Sequence, residues 1–243
     1  MSTTGTRGAY VALGDSISID DYAGGQGRGG ASLLYRNRDD DFPRWRGHDL
    51  VSGDPEAVFH LLASDGATTS TLLAVQMPRL IELQVRPTLV SVTVGGNDVL
   101  SGYGDTAAAR AIIHRVSLGL SRALGELQPL LAPDGRVLVG TVYDPSDGTG
   151  DAARLGLPPW PDAVGVIGEL NAALRHVAAE HGAAVAEIDR HFSGHGLLAG
   201  DATRPDPRPS NRDLWLCSVI EPNAWGADGV RAAFWAALQA SDT

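Results

Sequence analysis

Three polar motifs contain the residue types needed to activate a hydroxyl group and to stabilise an oxyanion. Ser16 of Gly14-Asp15-Ser16 supplies a hydroxyl, Gly66 supplies a backbone N–H in a polar loop, and Asn97 of Gly95-Gly96-Asn97-Asp98 supplies a side-chain amide. A serine is a weak nucleophile until a base takes its proton, and the charge that then develops on the substrate oxygen needs fixed hydrogen-bond donors. Taken alone, each motif is more typical of an ordinary turn. Their significance therefore depends on whether the fold brings them together.

Two of the motifs directly follow apolar runs that predict buried strands. The run at 10–13 stops at Gly14, and the β-branched run at 88–94 stops at Gly95, as strands entering loops do. Further strands are predicted at 58–63, 136–143 and 183–189, and helical periodicity predicts helices at 69–84, 106–131, 161–181 and 226–239. Strands that alternate with helices indicate a mainly parallel sheet covered on both faces. Ligands bind beyond the carboxyl ends of such strands, so Ser16 and Asn97 are expected on one rim.

Two long segments interrupt this alternation, at about 20–54 and 200–213. The first is rich in Gly, Arg and Asp, and the second contains three prolines and several arginines. Both are interpreted as loops that are longer than ordinary connections. Their positions, after one motif and before another, favour loops that border the site, and solvated surface loops are an equally good interpretation.

A fourth motif, Glu221-Pro222-Asn223-Ala224-Trp225-Gly226, lies near the C-terminus. The four motifs in this order resemble those of the SGNH (GDSL-type) hydrolases, which are named for a serine, a glycine, an asparagine and a histidine. The resemblance extends from residue 10 to residue 238. It implies Ser16 as nucleophile, with the backbone N–H groups of Ser16 and Gly66 and the Asn97 amide as the oxyanion hole. It also implies an α/β fold, a flavodoxin-like three-layer α/β/α sandwich with a mainly parallel five-stranded sheet.

The sequence departs from that family at the residue expected to act as base. Relatives have a histidine before Pro-Asn and an aspartate three residues earlier, where this chain has Glu221 and Ser218. A carboxylate base has no second N–H for an aspartate to accept, and a neighbouring carboxylate would raise its pKa by repulsion. The paired change is therefore consistent with a glutamate base, and equally with loss of activity.

Glu221 is the first candidate for the base, and a loop histidine is the second. An unperturbed glutamate has a pKa of about 4.3 against about 6.5 for histidine, but burial raises a glutamate pKa. Leu216, Val219 and Trp225 are the expected sources of that burial, and Ser218 is the expected hydrogen-bond partner of Glu221. The competing hypothesis uses His195, which follows the last predicted strand in a glycine-rich segment.

Composition limits the class of protein. The 243 residues are interpreted as a single domain, 1–243, and the net charge of −10 disfavours a nucleic-acid partner. No apolar run is long enough to span a membrane, and the polar start does not resemble a signal peptide, so a cytoplasmic location is expected. The single cysteine, Cys217, and the lack of Cys/His clusters predict no internal disulfide, no metal and no cofactor. Nothing in the sequence indicates the oligomeric state.

Two functions follow from these observations. The leading interpretation is a serine esterase or acyltransferase that acts on acyl, acetyl or carbohydrate esters. It would act on a small-molecule substrate through Ser16, the Gly66/Asn97 oxyanion hole and Glu221. The alternative is a catalytically silent domain of the same fold that binds a small ligand or a protein partner in the former cleft. Reaction of Ser16 with a phosphonate would distinguish the two.

Overall fold

A computed structural model of the protein describes residues 8–199 and 213–240. Its main sheet has five strands, which are β1 (Ala9–Gly14), β2 (Val58–Leu61), β3 (Leu89–Thr93), β4 (Arg136–Gly140) and β5 (Ala184–Ala186). They lie in the order β2-β1-β3-β4-β5, and every neighbouring pair is parallel. The five predicted strands and the parallel sheet are therefore confirmed. Of the predicted loop at 200–213, only Asp213 falls within the described residues.

The two central strands end side by side. Every residue of β1 and β3 is buried, as expected for a parallel sheet that is covered on both faces. Their register pairs Gly14 with Thr93. In this strand order the connections reverse direction between β1 and β3, which is where ligands bind in doubly wound folds. The ends of these two strands therefore define the position of the candidate site.

Helices cover both faces of the sheet. They are α1 (Gly30–Tyr35), α2 (Leu50–Gly53), α3 (Thr69–Thr71), α4 (Met77–Glu82), α5 (Gly96–Leu100), α6 (Thr106–Leu127), α7 (Ala163–Glu180), α8 (Ile188–Phe192) and α9 (Ala224–Ala240). A five-residue π-helix, Leu72–Gln76, joins α3 to α4, so the predicted helix at 69–84 is not a regular α-helix. A small antiparallel hairpin of β6 (Leu216–Cys217) and β7 (Glu221–Pro222) precedes α9. No helix within residues 8–199 and 213–240 is long and apolar enough to cross a membrane.

Alternate side chains of the strands feed two separate cores. Val11 and Leu13 of β1 pack in the core that contains the buried residues of α6 and α7. Tyr10 and Ala12 point to the opposite face, into the core that includes Val230 and other residues of α9. The three-layer α/β/α sandwich is thus confirmed, with one apolar core on each side of the sheet.

The interpretation of 20–54 as one long loop is wrong in its middle, because α1 and α2 lie within it. Gly30 of α1 approaches α9 closely, since a Cβ there would lie 2.5 Å from Val230 Cγ1. The segment is also tied down by Arg231 of α9, a fully buried guanidinium. Arg231 donates hydrogen bonds to Asp228 and to Asn37 Oδ1 (2.7 Å), and its Cζ lies 4.3 Å from the centroid of the Trp45 ring. These contacts come from distant residues, which explains why local periodicity did not indicate them.

Candidate active site

Ser16 lies in a tight turn at the end of β1 that only glycine at position 14 allows. Gly14 has φ +117°, and a Cβ there would lie 1.9 Å from the Thr93 carbonyl oxygen. The Asp15 N–H donates to that same carbonyl (3.0 Å), and the Asp15 carboxylate accepts the Ile17 N–H (3.2 Å). The turn is therefore fixed by β3 on one side and by its own backbone on the other.

The Gly14 peptide is also held by the side chain of Gln76, at the end of the π-helix. The Gly14 N–H donates to Gln76 Oε1 (2.7 Å), and Gln76 Nε2 donates to the Gly14 carbonyl (2.8 Å). Gln76 is completely buried. Gln76 was not predicted as a site residue from the sequence, although a polar side chain among buried apolar positions of one helical segment is a recognisable signal.

The structure brings Glu221 to Ser16. Both residues line one cavity, and the Ser16 hydroxyl is close enough to the Glu221 carboxylate to lower its pKa as a hydrogen-bond donor. Glu221 begins β7, where it pairs with Cys217 across the hairpin. The following Asn223 caps α9, because its Oδ1 accepts the backbone N–H groups of Trp225 (2.9 Å) and Gly226 (3.0 Å). The hairpin and the cap together determine where the Glu221 side chain lies.

Two carboxyl groups of the site have raised pKa values. The pKa of Glu221 is raised chiefly by burial; the Ser16 hydrogen bond opposes this shift, and the negative charge of Asp65 adds to it. The pKa of Asp15 is raised to about 7, mainly because the carboxyl is fully buried, with a smaller contribution from Glu221. Clustered groups with raised pKa values are typical of catalytic sites.

The three proposed oxyanion donors are associated with adjoining loops. Within the described part of the chain, neither the Ser16 N–H nor the Gly66 N–H donates a hydrogen bond. Asn97 Nδ2 donates to the Ala67 carbonyl (3.0 Å), which ties the start of α5 to the loop that carries Gly66 and leaves the second amide proton available. Asp98 strengthens this connection by accepting the Thr69 hydroxyl (2.6 Å). Two unused N–H groups and an anchored amide thus lie on the loops that follow β1, β2 and β3.

Ser16, Asn97 and Glu221 line one cavity of about 100 Å³; Gly66 is not among the residues that line it. The cavity extends from the end of β1 between α5, α7 and the segment that follows β4. Its walls away from the polar group are mainly apolar and include Val99, Leu100, Leu157, Trp160, Ile167 and Leu170. The site therefore joins a polar reaction centre to an apolar recess.

The structure places His195 elsewhere. Its Nδ1 lies 2.8 Å from the Asp213 carbonyl oxygen, and its ring stacks on Trp215 with centroids 3.7 Å apart. His195 does not line the cavity that holds Ser16 and Glu221. In this structure the loop histidine therefore does not occupy the position of a base.

Three expectations about the surroundings of Glu221 are wrong. Ser218 is exposed in the hairpin turn, with φ +52°, and its side chain makes no hydrogen bond to Glu221 among the residues described. Val219 and Trp225 are exposed rather than packed over the carboxylate. The cavity-lining residues Tyr143 and Ile220 lie beside Glu221 instead, and the Tyr143 hydroxyl donates to the Ile220 carbonyl.

Metal binding is not indicated by the arrangement of side chains. No group of three or more His, Cys, Asp or Glu residues within the described ranges could hold a metal ion. The charge of Glu221 raises the pKa of Asp15, and the charge of Asp65 raises the pKa of Glu221. Asp65 also accepts a hydrogen bond from the Tyr22 hydroxyl (3.0 Å). The polar groups of the site include a hydroxyl, carboxyl groups and amide donors.

Comparison with known proteins identifies the family. The model of the GDSL-like Lipase/Acylhydrolase family matches residues 12–228. A lipase from Streptomyces rimosus is 28% identical over 217 residues, which cover 79% of this chain and 74% of that protein. Among solved structures, the fold is similar to phospholipase A1 from Streptomyces albidoflavus NA297 (TM-score 0.57, 24% identity, 96% of this chain and 99% of that chain). It is also similar to an acetyl xylan esterase from Geobacillus stearothermophilus (TM-score 0.62, 15% identity, 96% and 95%). The chain thus belongs to the GDSL-like lipase/acylhydrolase family of hydrolytic enzymes.

Proposed function

We propose that this enzyme hydrolyses carboxylic esters through an acyl-Ser16 intermediate, with Glu221 as general base. The observation that carries the proposal is that Ser16 and Glu221 lie together at the polar end of one mainly apolar cavity, where the Ser16 hydroxyl lowers the Glu221 pKa as a hydrogen-bond donor. Glu221 accepts the hydroxyl proton as Ser16 Oγ attacks the ester carbonyl carbon. The protonated Glu221 then gives that proton to the departing alkoxide. In the second half, Glu221 takes a proton from water as the water oxygen attacks the acyl carbon. The bond from that carbon to Ser16 Oγ then breaks, Glu221 returns the proton to Oγ, and the carboxylic acid leaves.

The raised pKa of Glu221 suits this role. A general base is most effective when its pKa lies near the working pH, and an ordinary glutamate is too weakly basic for that. Burial and the charge of Asp65 both move the Glu221 pKa upward. Unlike a histidine, the carboxylate has no second N–H and therefore needs no aspartate at position 218 to orient it.

The donors around the rim supply the oxyanion hole in this mechanism. As Ser16 attacks, negative charge moves onto the former carbonyl oxygen, where the N–H groups of Ser16 and Gly66 and the Asn97 amide can donate to it. The two backbone N–H groups have no other acceptor among the described residues. Donors fixed before the reaction need little reorganisation when the charge develops.

The cavity favours esters with an apolar acyl group. Its recess is lined by Val99, Ile167, Leu170 and other apolar side chains. Binding of an apolar acyl chain there is favourable because it removes hydrocarbon surface from water. The polar end holds the reacting carbonyl, and the alcohol portion faces the rim near Asp65. The family includes enzymes for acyl, acetyl and carbohydrate esters, and the apolar recess favours the first of these for this enzyme.

Covalent labelling tests the mechanism. We expect a p-nitrophenyl phosphonate to label the native enzyme at Ser16, with mass spectrometry locating the adduct. Glu221→Gln should lower the labelling rate and kcat/KM for a p-nitrophenyl ester by roughly 10²- to 10⁴-fold, the usual contribution of a general base. Glu82→Gln, a matched change at an exposed position on α4, should leave both rates unchanged.

Two outcomes would contradict the proposal. Full activity of Glu221→Gln would exclude Glu221 as the base while leaving Ser16 as nucleophile. A folded native enzyme that neither reacts with the phosphonate nor hydrolyses any ester would instead support the silent binding domain.

A further inference from the structure

The Gln76 carboxamide completes the sheet at the point where the nucleophile turn begins. The pairing of β1 with β2 ends at Ala12 opposite Leu61, so Gly14 has no residue of β2 beside it. Gln76 occupies that edge with both atoms of its amide, accepting the Gly14 N–H (2.7 Å) and donating to the Gly14 carbonyl (2.8 Å). The side chain thus pairs with Gly14 as the peptide group of another strand would.

The same carboxamide is close to the loop that carries Gly66. Gln76 Nε2 lies 3.4 Å from Ser64 Oγ, and the Ser64 N–H donates to the Gly14 carbonyl (3.0 Å). Gly14 precedes Ser16 by two residues, and Ser64 precedes Gly66 by two. Gln76 therefore contacts both segments that supply groups to the reaction centre.

A π-helix brings Gln76 into this position. The five residues Leu72–Gln76 form an i→i+5 turn between α3 and α4. Such π-helical turns are rare in proteins overall. Those that occur are frequently at functional sites, because they turn one side chain away from the regular helical direction. Gln76 is fully buried, and burial strengthens hydrogen bonds by lowering the local dielectric.

We infer that Gln76 is a positioning residue, which holds the Gly14 peptide so that the Ser16 hydroxyl meets Glu221 and the Ser16 N–H faces the oxyanion. This inference rests on the proposed function. Without the carboxamide, the Gly14 N–H loses its Gln76 acceptor, and the Gly14 carbonyl loses one of two donors and keeps the Ser64 N–H. A shift of about 1 Å in a reacting group can reduce a rate about 10²-fold. The loss should appear in the chemical step and not in substrate binding, because Gln76 does not line the cavity.

The protein contains a matched control, a second buried amide that holds a peptide of the cavity wall, at Val142, and not the nucleophile turn. Asn171 of α7 is also buried, and its amide holds the Val142 peptide beyond the end of β4, accepting the N–H (2.8 Å) and donating to the carbonyl (2.7 Å). Neither residue supplies a reacting group. Removing the Asn171 amide should therefore cost stability without misplacing Ser16.

The experiment compares Gln76→Leu with Asn171→Leu at a temperature at which circular dichroism shows both variants folded. We expect Gln76→Leu to lower kcat and the rate of phosphonate labelling at Ser16 by about 10²-fold, with KM within threefold of the native value. Asn171→Leu should lower the melting temperature comparably and the labelling rate by less than fivefold. Ser64→Ala, which removes only the 3.4 Å contact, should change the labelling rate by less than threefold.

Each other result has a defined meaning. Equal losses of labelling in Gln76→Leu and Asn171→Leu, or native reactivity in Gln76→Leu, would overturn the positioning role while leaving the proposed function intact. An inert native enzyme would overturn the proposed function, and the inference with it. If Gln76→Leu does not fold, Gln76→Met, which is closer in shape and equally unable to make the two bonds, takes its place in the same comparison.

Discussion

Placing a carboxylate where relatives have an imidazole changes what controls the strength of the base. An imidazole has a pKa near neutrality without help, whereas a carboxylate must acquire one from its surroundings. For Glu221 those surroundings are burial and the charge of Asp65, opposed by the Ser16 hydrogen bond. In the proposed mechanism, the working pH of the enzyme therefore depends on neighbours that a histidine base would not need.

Asp65→Asn should move the acid limb of the pH profile. The proposed mechanism requires ionised Glu221, so kcat/KM should rise with pH through the Glu221 pKa, which lies above its ordinary value. Asp65 raises that pKa, so removing its charge should shift the limb to lower pH, measured with a p-nitrophenyl ester across the acid range. Asp134→Asn, at an exposed turn, serves as control. If the acid limb of kcat/KM lay at the same pH in Asp65→Asn as in the native enzyme, Asp65 would have no effect on the Glu221 pKa.

Among elements, the segment between β4 and α7 determines the shape of the apolar recess. Trp160 and Leu157 form part of its wall. The segment is fastened by Trp160 Nε1 donating to Thr106 Oγ1 (3.1 Å) and by the Tyr103 hydroxyl donating to the Pro158 carbonyl (2.7 Å). The recess therefore has a fixed far wall, which should limit the length of the acyl group.

Ile167→Trp should select against long acyl groups. Ile167 lines the recess, and a larger side chain there would take the space of several methylenes, each worth about fourfold in binding. In a series of p-nitrophenyl esters we expect kcat/KM for the octanoyl ester to fall at least tenfold relative to the acetyl ester. Ile81→Trp, the same change at an exposed site on α4, should preserve the native ratio. A ratio unchanged by Ile167→Trp would place the acyl group outside the recess.

The sequence predicted those elements that follow from local patterns. Apolar runs identified the five strands, two of which are followed by glycine, and strand ends correctly placed Ser16 and Asn97 on one rim. The pairing of Gln76 with Gly14 joins residues 62 positions apart and has no local pattern. The surroundings of Glu221 were incorrectly predicted for a related reason: neighbours in sequence, such as Val219, point outward at a hairpin turn, while Tyr143 arrives from another strand end.

For the molecule as a whole, a buried carboxyl in the active site makes stability depend on pH. The pKa of Asp15 is raised to about 7 from an ordinary value of 3.8. The unfolded chain thus releases the Asp15 proton at lower pH than the native protein. This contribution to stability is fully present below about pH 4 and is lost as the pH rises through 7.

Asp15→Asn should make the unfolding free energy less dependent on pH. Between pH 5 and pH 8 the native protein should lose about 3 kcal/mol of unfolding free energy through Asp15, from the difference between the two pKa values. The amide is neutral at both values and keeps an acceptor for the Ile17 N–H, so the variant should lack this loss. Urea unfolding at pH 5 and pH 8 measures the difference between the two proteins. If the unfolding free energies of the two proteins changed equally between pH 5 and pH 8, Asp15 would already be ionised in the native state at pH 5.

The capping role of Asn223 has a consequence for how such enzymes diverge. The Pro-Asn-x-x-Gly signature starts α9, and Asn223 caps that helix. Its glycine lets the helix lie close to the segment before the hairpin, because a Cβ at Gly226 would lie 2.4 Å from the Trp215 carbonyl oxygen. Selection for folding alone would therefore preserve this signature while the residue before it varied. A lineage could exchange one proton acceptor for another at position 221 by a single replacement, without rebuilding the helix. Recognition of the signature then reports ancestry, and the preceding residue has to be inspected separately to learn which acid–base chemistry was inherited.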